Sequence, residues 1–320
     1  MKIFLAIGLT VAILARVNLK DLGGLLAKIP LGWLVFCGVL YFFSNVAKTL
    51  QYMSLLDKKT PFLKTLYIVT IQNTITNFVA ASAGIASLIA ALKMDEDVKV
   101  SKSVMVFLVT KIMDLLFIGL FCGISSLFIW DKISTLQPLA IALLVGIGVL
   151  VLAFIAAILF RRSFVRLMDW GIEKTNLSRF AVVQKTADAV RLFTGQEQSI
   201  LFGMVLRSFG SSFLFFVFTL ALRYMGYRLF AIPLGLWEIV FITCIMQVIS
   251  FIPINVFGGL GINEVSYFYL FSLFGVSQDI IPAFAVGLRI LLYLAVLIAL
   301  LYLPVYLVAG KINSREVSKS

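Results

Sequence analysis

Histidine is absent from this chain of 320 residues. That removes the usual acid–base group of neutral-pH catalysis, the haem axial ligand and the commonest zinc ligand. Cysteine is scarce: Cys37, Cys122 and Cys244 lie far apart inside apolar runs, without a CxxC pair. They read as buried small hydrophobes rather than a disulfide framework or a metal site. Charge is also thin, at 13% of residues against about 25% in a soluble domain. No nucleotide-binding motif is present, and no metal or other cofactor is expected.

What remains is apolar. Hydrophobic residues make up 62% of the chain, and mean hydropathy is +1.08. A single water-soluble domain cannot hide that much apolar surface, whereas a bilayer asks for it. A span needs about 20 mostly apolar residues at ~1.5 Å each, and such stretches recur along the chain. The fold class is therefore an all-α polytopic membrane protein, residues 1–320 forming one membrane domain.

The first apolar run, Ile3 to Ala15, follows Lys2. Bulky Ile13 is a poor fit to a signal-cleavage site, so a retained short span is expected. Further runs cover Leu31 to Leu56, Thr65 to Leu92, Ser103 to Ile129 and Pro138 to Phe160. The stretch 161–198 is polar and holds seven cations against four acids. Phe164, Leu167, Met168 and Ile172 share a helical face, as do Phe180, Val183, Ala187 and Val190. Two amphipathic helices on the cytoplasmic lipid surface are expected there. Ser199 to Tyr224 and Ile280 to Ala309 complete the long runs.

Two runs are not clean spans. Between Leu234 and Phe274 the chain is interrupted by Pro253, Gly258, Gly259 and Gly261. A helix over 263–275 would be only ~20 Å long, against a hydrocarbon core of ~30 Å. Open backbone at membrane depth needs protein or a water-filled cavity to satisfy its amides. A re-entrant pair of half-helices meets that demand; an aqueous loop between two full spans is the alternative. Asn77 to Gly84 interrupts the run Thr65 to Leu92 in the same manner. Each half then reads span, span, broken hairpin, cation-bearing span, with Lys111 and Arg289 inside the last span of each. The halves are 1–130 and 138–310, about six full spans and two hairpins in all.

The net charge of +12 follows the ends of the apolar runs and so points to lipid head groups, not nucleic acid. With Lys111, Arg207 and Arg289 set aside as intramembrane, re-entrant hairpins put 18 of the other cations on the cytoplasmic side and 6 outside. Were the third run a full span, the split would be 16 to 8. The positive-inside rule prefers the hairpins, with both termini cytoplasmic in the inner (plasma) membrane. The hairpins then enter from opposite sides, as in inverted-repeat transporters.

The segment Ile252-Pro-Ile-Asn-Val-Phe-Gly-Gly-Leu-Gly-Ile-Asn-Glu264, followed by Arg289, resembles the signature of the flippase-like membrane domain. That family includes the transmembrane region of lysylphosphatidylglycerol synthases. The resemblance extends over nearly the whole chain, with Lys111-Ile-Met-Asp114 in the matching first-half position. Two departures stand out: Ala81-Ser-Ala-Gly84 stands where the family usually has a Pro-Gly-rich turn and an acidic residue, and Lys111 replaces arginine. The resemblance implies lipid translocation. With only Ser320 after Lys319, synthase activity is expected to be absent, so the chain is not expected to be an enzyme.

Glu264 and Arg289 are either a charge pair contacting a head group or a salt bridge pinning the hairpin to the last helix. Gly258, Gly259 and Gly261 are either a phosphate cradle or turn glycines; Asn263 lies beside them. Lys111 and Asp114, three apart on one helix, are expected to neutralise each other in part. Arg207 either lines the cavity or snorkels to the interface. Gln72, Asn73 and Asn77 either line the first hairpin or bond between helices. Expected partners are membrane lipids with anionic or phosphate-bearing head groups, and a second copy or a separate lipid-synthesising enzyme. A membrane enzyme on a polyprenyl-phosphate or phospholipid is the alternative, but the acidic run Asp95-Glu96-Asp97 is flanked by lysines and reads as a solvated loop. A non-transporting assembly protein is a further alternative.

Overall fold

The computed structural model describes residues 29–56, 61–96, 98–251 and 261–302. The expected first span and the glycines Gly258 and Gly259 lie outside the described residues. Every regular element described is helical. Helix α1 (Leu31–Met53) begins at Pro30 and α2 (Phe62–Phe78) at Pro61, where a missing N–H costs nothing. Then come α3 (Ala81–Glu96), α4 (Val100–Phe128) and α5 (Gln137–Leu159), followed by the short α6 (Arg161–Lys174) and α7 (Ala181–Thr194). The last four are α8 (Gln198–Leu229), α9 (Leu236–Phe251), α10 (Ile262–Leu273) and α11 (Ile280–Ala299). Among the described residues five helices are long and apolar enough to cross a membrane: α1, α4, α5 with its 3-10 lead-in, α8 and α11.

The third apolar run is indeed broken. The chain reverses over Val79 and Ala80, so Ala81 to Gly84 form the first turn of α3 rather than an open loop. Helices α2 and α3 then pack face to face. Gly84 permits this, because a Cβ there would strike the Thr76 hydroxyl and press on the Gln72 carbonyl.

Side-chain contacts show how deep each hairpin reaches. Tyr52 meets Gln72, Asn45 meets Asn73 and Tyr41 meets Asn77, so α2 runs antiparallel to α1. The tip at Asn77 is therefore level with Tyr41, halfway along α1. Phe78 stacks on Tyr293 of α11 at 4.5 Å, and Thr70 accepts from the Tyr302 hydroxyl in the 3-10 turn that follows α11. Helix α10 lies along the other half of α11: Phe271 and Tyr267 pack on Phe284, and Glu264 meets Arg289. The two hairpins thus approach from opposite ends of α11, and the Asn77 tip of the first and the start of α10 come together near its middle. Helix α10, with 12 residues, spans ~18 Å and could not cross a bilayer alone.

The centre is a crossing of α1 with α8, against which α11 also packs. Helix α5 is different. Val149, Leu152 and Leu159 are exposed along it, as a lipid-facing helix requires. The amphipathic pair α6 and α7 follows, joined by Arg191, which bridges Asp169 at 2.7 Å and Asp188 at 2.9 Å. Helix α7 buries Ala187 and Phe193 and packs on α4, whereas α6 buries no residue.

Candidate functional site

Gly261 opens α10 with φ +84°, a left-handed conformation that only glycine adopts without strain. Its N–H donates to Glu264 Oε2 at 2.7 Å. This is half of a capping box, since glycine has no side chain to return the bond. The other carboxylate oxygen meets Arg289 Nη2 at 2.9 Å, with both side chains nearly buried. Sequence alone paired these two residues correctly, and the pair does join hairpin to last helix.

The surroundings complete the site. Arg223, late in α8, donates from Nη1 to the Tyr267 hydroxyl at 3.0 Å. Arg289 Nη1 is buried without a hydrogen-bond partner. Asn77 from the first hairpin and Asn263 from the second line the same cavity, together with Arg223, Glu264, Tyr267, Arg289 and Tyr293. The cavity holds about 40 Å³. A water needs only ~10–15 Å³ of such space, so a few waters fit and a lipid head group does not. Asn77 is itself held by donating to the Tyr41 hydroxyl at 3.0 Å and to the Asn73 carbonyl at 2.8 Å.

A second buried charge centre lies where α1, α4 and α8 meet. Asp114 forms its ion pair with Lys48 at 2.5 Å. Lys111, three residues earlier, is still stabilised by the Asp114 charge, the partial neutralisation that the spacing suggested. Three apart on a helix places two residues on one side, but the Asp114 carboxylate points into the α1–α8 crossing. There it also accepts from Ser212 at 2.8 Å and from Gln51 at 3.4 Å. Lys48 lies 4.6 Å from the centre of the Phe215 ring. Lys111, one turn earlier, places its ammonium 5.8 Å from the Phe107 ring. Lys111 and Asp114 therefore do not share the cavity of Glu264 and Arg289.

Arg207 is exposed and bonds its own helix at the Gly203 carbonyl, 3.0 Å away, so it does not line the cavity. Gln72 and Asn73 bond across to α1, which is the helix-joining role. Sequence reasoning missed Lys48 and Arg223 because both lie near the ends of apolar runs and pass for flanking cations. Counting from the Pro30 helix start would have placed Lys48 well within α1.

The comparisons with known proteins narrow what this architecture is. No curated protein and no solved structure matches the chain. The family described as the lysylphosphatidylglycerol synthase TM region matches residues 1–299. The match runs through both hairpins, Lys48, Asp114, Glu264 and Arg289. On that coverage, the chain belongs to the lysylphosphatidylglycerol synthase transmembrane-region family, as a multi-pass helical membrane protein.

Proposed function

We propose that this protein is a lipid transporter that moves a phospholipid or lipid-linked head group between the leaflets of the inner (plasma) membrane, without catalysing a reaction. One observation carries the reading: two broken hairpins from opposite ends of α11 meet at a polar cavity containing a buried ion pair. Charge and exposed helix ends are costly at that depth and are kept where a polar cargo must pass. Membership of a lipid-associated family supports the same reading. The cavity as it stands is too small for a head group, so passage requires Asn77 of the first hairpin and the start of α10 to separate. A separate lipid-synthesising enzyme, or a second copy of this chain, fits as partner.

The test is reconstitution in liposomes carrying fluorescent lipids on both leaflets, followed by bleaching from outside. The expected outcome is bleaching of the normally protected inner-leaflet lipid. Full protection across a broad panel of head groups would remove the transport reading. The opposed hairpins have their own check. Cysteines replacing Lys64 and Ser277, at the two hairpin bases, are expected to react from opposite faces of the membrane. Reaction from one face for both would break the opposed arrangement.

A further inference from the structure

We infer that an apolar pocket beneath α6 and α7, remote from the hairpins, holds one acyl chain of an anionic phospholipid as a resident lipid that is not cargo. The pocket holds about 180 Å³ and shares no lining residue with the cavity at the hairpin tips. Four helices wall it, through Val109 and Ile112 of α4, Leu150 and Ala153 of α5, Phe164 of α6 and Phe193 of α7 among others. Among the described residues that line it, Thr194 alone is polar, and its hydroxyl donates to the Val190 carbonyl of its own helix. Such walls suit hydrocarbon and would leave a polar group unsatisfied.

Position selects a lipid tail. On α4 the lining stretch runs from Met105 to Ile112, roughly 8–18 Å beyond the helix start at ~1.5 Å per residue. On α5 it ends at Ala157, two residues before the helix does. Both bounds place the pocket between the membrane surface and the middle of a ~30 Å core. Leu150 and Ala153 are exposed, so the pocket opens on the side where Val149 and Leu152 face lipid. Apolar contact alone gives little preference over bulk lipid, whose tails are as apolar as the walls. Charge supplies the preference. Helix α6 follows α5 with only Phe160 between them, and Arg161, Arg162 and Arg166 flank the pocket residue Phe164. The first turn of α6 contains no acid, and Asp169 further along is engaged by Arg191. Arg161 donates to the Gln196 carbonyl, whereas Arg162 and Arg166 are exposed, one turn apart on one face. With the positive end of the α6 dipole they favour an anionic head group at the mouth of the pocket. A tail against Phe164 also gives α6 packing that the protein does not, since α6 buries no residue.

The test uses the full chain in detergent free of phospholipid, with the unfolding temperature followed as phosphatidylglycerol, phosphatidylcholine or oleate is added. Phosphatidylglycerol is expected to raise it most. Arg162→Gln with Arg166→Gln is expected to weaken that response ~10-fold or more in lipid concentration, to the level of phosphatidylcholine. Ala153→Phe fills the pocket from its lipid-facing side; it is expected to abolish the response and to leave lipid movement in liposomes unchanged. Phosphatidylglycerol with a photoreactive tail is expected to label the native protein around Ile112 and Phe193, and Ala153→Phe not at all there. Labelling confined to the outer face of α5, or an unchanged response in Ala153→Phe, overturns the inference. Equal responses to the two phospholipids overturn the anionic head group, and an equal response to oleate overturns the phospholipid source. Should Ala153→Phe fail to fold, Ala153→Leu and the labelling of the native protein decide it. Loss of lipid movement in folded Ala153→Phe overturns the resident role. The inference is independent of the transport reading: a protein that moves no lipid still shows the pocket labelling.

Discussion

Two buried ion pairs of the same chemistry behave differently in this molecule. Around Asp114 both carboxylate oxygens are engaged, by Lys48 on one side and by Ser212 and Gln51 on the other. Around Glu264 the carboxylate is also engaged, but its partner Arg289 keeps a buried donor unused beside a cavity. Burying a charge costs several kcal/mol, and an ion pair offsets this only when its geometry and remaining hydrogen bonds are complete. The first pair has both carboxylate oxygens engaged and ties α1, α4 and α8 together, with the Gln51 Oε1 beside it buried without a partner. The second falls short by one donor, at the place where two hairpins end.

The largest expected effect is at the sealed pair. Asp114→Ala leaves Lys48 buried and unpaired and should destabilise the fold by ~3–5 kcal/mol, read as a fall in unfolding temperature in detergent. Adding Lys48→Met should restore most of that loss. A stable single variant would mean that this pair is not the pin described here. Glu264→Gln should cost less, ~1–3 kcal/mol, because water in the cavity can reach Arg289 and the amide oxygen still accepts from Gly261. Its effect on lipid movement should exceed its effect on stability. Equal loss in both would make the two pairs alike.

Smaller still is the packing test at the first hairpin. Gly84→Ala forces Thr76 aside and should cost ~1–2 kcal/mol, with recovery on adding Thr76→Ala. Since neither ion pair is touched, reduced lipid movement in the single variant would tie the Asn77 tip to the cavity. Arg207→Gln is the lower bound: an exposed cation on its own helix should change stability by no more than ~0.5 kcal/mol and leave transport unaltered. A large effect on transport would bring Arg207 back into the pathway.

Much of the architecture was legible before any coordinates. Apolar runs long enough to span are a local property, so α1, α4, α5, α8 and α11 fall close to their expected ranges. The amphipathic faces of α6 and α7 follow from helical periodicity in the same way. Glu264 and Arg289 were also readable, because an ionisable residue deep in an apolar run needs a partner and few candidates exist. The Asp114 partner was not readable. Spacing along one helix favoured Lys111, whereas the decision lay in the packing of three helices distant in sequence. Arg223 was hidden for a related reason: at the end of an apolar run, a cation snorkelling to water and one turned into a cavity look alike.

By itself, then, the sequence determined the solvent, the helical spans and the existence of two breaks. Hydrophobic run length, glycine and proline act on the chain locally, whatever it later touches. Only the tertiary structure decided that the first break and the start of α10 lie one turn apart along α11, that Asp114 belongs to Lys48, and that Arg289 retains a spare donor. Those outcomes depend on which side chains the helix crossings bring within bonding distance, and no local spacing encodes a crossing.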